Sequence, residues 1–205
     1  LYFEALARID FPLPPISVQQ RLVARIDAVA AKIAEAKRLR EETTEQATRL
    51  LVSMALRQDW TDEQKAAAGW TQTSLGVVIT LRPDPVRVDT AASYPNLGIY
   101  SFGRGLFEKP PIEGIVTSAT TLFRVRAGQF IYSRLFAFEG AYGIVPSDLD
   151  GRFVSNEYPT FDCHPERVRP EFLEAYFKGP EVWQRVAVGS KGLGDRRQRV
   201  QPEQV

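Results

Sequence analysis

The chain has 205 residues, 44% of them hydrophobic, with 26 basic against 25 acidic side chains, a formal charge of +1 and an isoelectric point near 8.0. That is enough apolar material for one sizeable domain, or one domain plus an extended element, whereas the near-neutral charge neither demands nor excludes a nucleic-acid partner, because what matters is how charge is distributed over the surface. A single cysteine, Cys163, allows no intrachain disulfide and with His164 is too small a ligand set for zinc, while no apolar run approaches the roughly 20 residues that span a bilayer and the first residues carry no signal-peptide pattern. A soluble, cytoplasmic protein without membrane contact is expected.

Residues 1–16 read as an extended lead-in, because Pro12-Leu13-Pro14-Pro15 cannot be helical. Ser17 with Gln20 three residues later matches a capping box, in which a hydroxyl and an amide satisfy orphan backbone N–H groups. A helix is predicted from there to about residue 58, a stretch without Gly or Pro and roughly 60 Å long at 1.5 Å per residue. Its apolar positions are Leu22, Ile26, Val29, Ile33 and Ala36, then Thr43, Ala47, Leu50 and Met54, in steps of four and three with Arg40 interrupting. A stripe held at a 3.5-residue period is a coiled-coil seam, so something must pack along it. The charges beside it, Arg25, Lys32, Glu35, Lys37, Glu41, Glu42 and Glu45, suit either a solvated face or partner-selecting pairs across the seam.

Residues 59–69 read as a polar connector with a short helical turn at 62–68. From residue 70 to 205 the pattern becomes short β-branched and aromatic runs split by Gly, Pro and Asn. Strands are predicted at Gly76–Leu81, Gly98–Phe102, Thr121–Val125, Gln129–Ser133, Ala141–Val145 and Thr160–Asp162, and a helix at Glu171–Val188. The fold class is α+β, a β-rich domain attached to a long coiled-coil-type helix.

No phosphate loop, zinc-protease pair, nucleophile elbow or base-flipping methyltransferase motif is present. The lone histidine, His164, reads as an exposed loop residue, and the carboxylates are scattered. No catalytic group, metal site or cofactor is expected. The cations are more telling by place. One group joins them to aromatics in a turn-rich stretch around Tyr100, Arg104 and Lys109; a second is Ser133-Arg134 at a strand end; a third is Lys191, Arg196, Arg197 and Arg199 after a Gly-punctuated loop. Taken singly, each suits a solvated surface. Together they suit double-stranded DNA, with Lys191, Arg196 and Arg197 on phosphates and Arg104 and Arg134 on base edges.

Leu13-Pro14-Pro15, Gln19-Gln20-Arg21 and Ile26-Asp27 leading to Glu35-Ala36-Lys37 resemble the conserved helical region of the DNA-specificity subunits of type I restriction-modification systems. Gly103-Arg104-Gly105, Ser133-Arg134, Gly140-Ala141-Tyr142-Gly143, Asp150-Gly151, Val154 to Tyr158 and Gly189-Ser190 through Gln201-Pro202 resemble that family's target recognition domain, in order. The tail Arg199 to Val205 and the head Ile9 to Ile16 look like two sides of one cut, as in one repeat of a two-repeat protein. The resemblance implies a non-catalytic subunit that reads one half of a split target. Its long helix would dock a methyltransferase subunit and a restriction subunit. One helical region and one recognition domain leave a fragment, a half-subunit and a permuted form all open. A half-subunit would form a homodimer through its helix. A rival reading is an interaction protein whose coiled coil is the functional part and whose β-rich half binds protein.

Overall fold

The first helix, α1 (Ile16–Leu56), runs for 41 residues. It starts one residue before the predicted cap, so Ser17 lies inside the first turn. The prolines supply the start instead, with the N–H groups of Val18 and Gln19 donating to the Pro15 carbonyl at 2.9 and 3.0 Å and Gln19 Nε2 donating to the Pro14 carbonyl at 2.7 Å. A ring-fixed φ is already near the helical value, so proline serves well there. The computed structural model describes residues 7–187, 191–192 and 198–199, and contacts divide the chain into two units, Leu1–Ala47 and Thr48–Val205.

In the first unit the seam positions Leu22, Ile26, Val29 and Ile33 are 49–64% exposed, and Ala36 and Ala47 are exposed too. Part of the flanking charge is satisfied along the helix itself: Arg38 bridges Glu35 at 2.7 Å and Glu42 at 2.5 Å. These are (i, i+3) and (i, i+4) neighbours on one face, and the Arg38 hydrogen bond holds the Glu35 carboxyl below its ordinary value.

In the second unit the last turns of α1 have two faces. Val52 and Ala55 are buried and Leu56 packs on the domain core, whereas Leu50 and Met54 are 62% and 63% exposed. At 3.6 residues per turn these pairs lie roughly 150° apart, so the seam is the face the domain does not use. The helix stops where Arg57 takes a positive φ of 42° with its guanidinium 3.9 Å from the centre of the Trp60 ring. The connector holds α2 (Asp62–Ala67), capped by a Thr61–Gln64 box.

The first nine strands form two sheets. In the four-stranded sheet β1 (Ile79–Leu81), β9 (Thr160–Cys163), β6 (Phe130–Tyr132) and β7 (Tyr142–Ile144) are antiparallel neighbours. In the five-stranded sheet β2 (Pro85–Arg87), β5 (Thr121–Arg124), β8 (Phe153–Val154), β3 (Ser93–Ile99) and β4 (Leu106–Glu113) follow in that order, with β3 and β8 parallel. Part of the strand predicted at Gly76–Leu81 is α3 (Leu75–Val78), followed by β1. The strand predicted at Gly98–Phe102 is the end of β3 and a turn, because Gly103 and Gly105 take positive φ. Strands β2, β4 and β8 were hidden by prolines or brevity; β4 contains Pro110-Pro111 and lies at a sheet edge, where a missing N–H is tolerated. The predicted helix Glu171–Val188 is two helices, α4 (Pro170–Tyr176) and α5 (Pro180–Ala187), since Pro180 cannot continue the first. The short strands β10 (Lys191–Gly192) and β11 (Gln198–Arg199) pair antiparallel.

Two cores meet at β6. Phe130 and Tyr132 join Val78, Ile79, Tyr142, Phe161, Phe177 and Trp183, while Ile131 joins Leu97, Val125, Val145, Leu149 and Val154. Successive strand side chains point to opposite faces, so three consecutive residues serve two cores, each at 0% exposure. After β6 a short 3₁₀ turn (Ala137–Glu139) ends on Gly140 at φ 80°. A Cβ on Gly140 would lie 2.3 Å from Trp183 Cε2, and the Trp183 indole N–H is held at 2.6 Å on the Phe177 carbonyl.

Phe130→Ala should therefore lower the unfolding free energy by about 3–5 kcal/mol. Gly140→Ala should cost more than the ~1–2 kcal/mol of the left-handed backbone alone, because the new methyl meets a ring that is fixed at both ends. Urea denaturation followed by tryptophan fluorescence measures both, and wild-type stability in Gly140→Ala would contradict this packing.

Candidate nucleic-acid interface

The β3–β4 hairpin pairs Ile99 with Leu106 and leaves residues 100–105 as its turn. The Tyr100 N–H closes it on the Gly105 carbonyl at 2.9 Å. The turn is also tied to the 3₁₀ turn after β6. Phe102 N–H donates to the Glu139 carbonyl at 2.7 Å, Gly103 N–H to the Gly140 carbonyl at 3.0 Å, and Ser101 Oγ to Glu139 Oε2 at 3.1 Å. A largely buried or half-buried segment thus fixes the position of an exposed one.

The side chains of the turn form a stack. Gly98 lacks the Cβ that would meet Phe107 Cζ at 2.6 Å, so the Phe107 ring crosses the strand there. Tyr100 lies on that ring at 4.0 Å between centroids, nearly parallel at 23°. The Arg104 guanidinium carbon is 5.0 Å from the Tyr100 centroid and 5.9 Å from that of Phe102, while Arg104 Nε donates to the Ser101 carbonyl at 3.0 Å. Tyr100 is 42% and Phe102 62% exposed. Phe102 adopts φ 65°, a left-handed backbone that costs a bulky residue about 1–3 kcal/mol. Lys178 lies against Gly103 on the other side.

Exposed ring faces beside a held guanidinium can stack on a planar ring and donate two parallel N–H groups to paired acceptors at its edge. Nucleobases present both features. Of the residues expected at such a surface, Tyr100 and Arg104 come together in this turn. Arg134 sits nearby in the chain segment that leads from β6 to the same 3₁₀ turn; it is half-buried, and its N–H donates to the Glu157 carbonyl at 2.9 Å. Ser133 is 2% exposed, its N–H on the Ala141 carbonyl at 2.9 Å, so it is packed inside the domain rather than displayed at the strand end. Lys109 is half-buried on β4 and lines an open groove with Glu108, Asp148, Asp150 and Arg152. Three carboxylates against two cations make that groove a poor place for phosphate, and Arg152 is already bridged to Glu108 at 2.9 Å. Lys191 and Arg199 face each other in the β10–β11 register; Arg196 and Arg197 lie outside the described residues.

The segments Gly140–Gly143 and Asp150–Gly151 shape the domain. Ala141 and Tyr142 are core residues; a Cβ on Gly143 would meet Leu106 Cδ1 at 2.2 Å, and Asp150 Oδ1 accepts from the Ala127 N–H at 2.8 Å. Burial, with Tyr132 alongside, pushes the Tyr142 hydroxyl well above its ordinary value. Phe102 and Lys178 were not singled out by sequence. The sequence offered Phe102 only as one member of the aromatic and cationic stretch from Tyr100 to Lys109, and nothing in it placed Lys178 beside the turn. Among the described residues no group of His, Cys, Asp and Glu is arranged to hold a metal, and no helix is long and apolar enough to cross a membrane.

No protein-family model matches the chain, and no curated protein matches it. Among solved structures, the crystal structure of the HsdS subunit from Thermoanaerobacter tengcongensis is similar, with a TM-score of 0.51 and 21% identity over 63% of this chain. The likeness is one of fold. The matched part spans 35% of that chain's length, and the shared architecture is α+β, a long helix with a β-sheet domain.

Stacked at 4.0 Å, Tyr100 and Phe107 should be energetically coupled. A double-mutant cycle with Tyr100→Ala and Phe107→Leu, read by urea denaturation, should give a coupling of about 0.5–1.5 kcal/mol. A coupling of zero would contradict the stack.

Proposed function

We propose that the chain is a sequence-specific, non-catalytic DNA-recognition module of the type I restriction-modification specificity class. It reads one half of a bipartite target with its β-rich domain and positions methyltransferase and restriction subunits along its helix. The observation that carries the reading is the surface turn at 100–105, where Arg104 is held beside exposed aromatic residues by a hydrogen bond to the Ser101 carbonyl. A guanidinium fixed in this way loses little freedom on gripping a guanine edge bidentately. The fold likeness to an HsdS subunit and the resemblance of the Leu13-Pro14-Pro15 and Gly103-Arg104-Gly105 segments support the same class. The chemistry of methyl transfer and cleavage then belongs to other subunits, and the place of action is the cytoplasm, where the DNA is.

The exposed seam of α1 supports a role as strut and spacer. In the absence of other subunits it pairs with the helix of a second copy, because Leu22, Ile26, Val29 and Ile33 are too apolar to remain in water, each contributing roughly 1.5–3 kcal/mol on burial. One observation favours the rival, protein-binding reading of the β-rich half: Ile115 and Val116 are 81% and 80% exposed.

Selection of DNA by the purified chain decides between them. The purified chain should select a duplex from a random-sequence library, bind it less tightly as salt rises, and transfer no methyl group from S-adenosylmethionine unless a methyltransferase subunit is added. Arg104→Ala should weaken binding to the selected duplex by about 1–3 kcal/mol and leave random DNA little changed. Failure to enrich any sequence would favour the protein-binding reading. Separately, the wild-type chain should sediment as a dimer at tens of micromolar by mass action, and Ile26→Asp combined with Ile33→Asp should yield monomers of unchanged β-domain stability. A wild-type monomer would remove the helix-pairing account.

A further inference from the structure

Packing accounts for little of the Phe102 side chain in the surface turn. Its ring is 62% exposed, and its aromatic neighbour Trp183 lies 6.4 Å away between centroids. Its backbone sits at φ 65°, where Gly or Asn would sit with less strain. The turn does not call for a phenylalanine here, and the ring touches the core only at its edge, beside Trp183, while most of it faces solvent. Yet it is held firmly: its own N–H and that of Gly103 donate to the Glu139 and Gly140 carbonyls at 2.7 and 3.0 Å, and these carbonyls belong to the segment that follows the central strand. Arg104 stands 5.9 Å from the ring centroid and is itself fixed at 3.0 Å to Ser101.

An apolar side chain that is exposed, backbone-anchored and flanked by a cation has the properties of a wedge. Such side chains enter a base step, partially unstack it and kink the duplex, which brings more of the DNA onto the protein. We propose that Phe102 inserts between two adjacent base pairs of DNA held at the 100–105 turn, with Arg104 gripping the edge of a neighbouring base. This rests on the DNA-recognition reading above and adds to it a second source of sequence choice. The step entered should be one that unstacks easily, a pyrimidine–purine step, so the preference there arises from deformability rather than from hydrogen bonding.

The test uses the full chain and a duplex that it has selected from a random-sequence library. Fluorescent adenine and guanine analogues replace each purine in turn, and end labels report bending by energy transfer. With the wild-type chain, fluorescence should rise at one base step and the ends should approach. Phe102→Asn keeps a residue that tolerates the left-handed backbone but removes the ring; it should abolish both signals and weaken binding about 5- to 150-fold, the range for one lost base–aromatic stack. Phe102→Leu retains an apolar wedge and should keep the bend. Because the fluorescence of the wild-type complex does not depend on any variant folding, the absence of a rise at every purine overturns the insertion. So does a Phe102→Asn chain that binds and bends the duplex like the wild type, in which case DNA recognition stands without it. Failure to select any duplex overturns the recognition reading itself.

Discussion

The strand Phe130-Ile131-Tyr132 is the constraint on which the rest of the β-rich domain depends. It has neighbours on both sides, β9 and β7, and both of its faces are covered, so it can neither shift register nor exchange a side chain for water. A slip of one residue would send Ile131 into the aromatic core and two rings into the smaller aliphatic one. The aromatic side is stiff in its own right, with Phe130 4.9 Å from Phe177 and Tyr132 stacked on Phe161 at 6.0 Å. From this fixed strand the chain passes through Ser133 to the 3₁₀ turn, and the carbonyls of Glu139 and Gly140 then hold the 100–105 turn by its backbone. The 100–105 turn, the proposed DNA contact, is thus one step removed from the most deeply buried strand, which is how an exposed turn can be held in place.

The helix shows a different division. Its last turns give Val52, Ala55 and Leu56 to the domain and turn Leu50 and Met54 away from it. A stripe that was needed only to attach the helix would end where the domain is satisfied. Here the seam positions stay exposed in each unit taken by itself, and none of the described residues covers them. Burial by a partner helix of the same pattern removes that apolar surface from water without disturbing the attachment, because the two faces share no residue.

Much of this was legible in the sequence. The absence of Gly and Pro from 17 to 58 marked the helix, and four of the six predicted strands coincide with observed ones because β-branched and aromatic runs bounded by turns leave little choice. The sequence misled where a proline or glycine acted through its neighbours. Pro15 took over the start that Ser17 was expected to cap, and Pro180 divided a helix whose apolar spacing ran straight across it. For the candidate site, the Tyr100–Gly105 turn was legible as aromatics mixed with Arg between glycines. Its composition did not reveal that Ser133 is buried, that Lys109 sits among carboxylates or that Phe102 stands exposed on a left-handed backbone, since all three depend on contacts between segments far apart in the chain.

In the proposed role this chain chooses the DNA sequence on which other subunits act. Sequencing of methylated adenines in the genome of a cell that carries the chain with its methyltransferase tests it most directly. A bipartite methylated motif should appear, should vanish when the chain is deleted, and should relax in one half when Arg104 is replaced by alanine. A motif that persists unchanged without the chain would contradict the account.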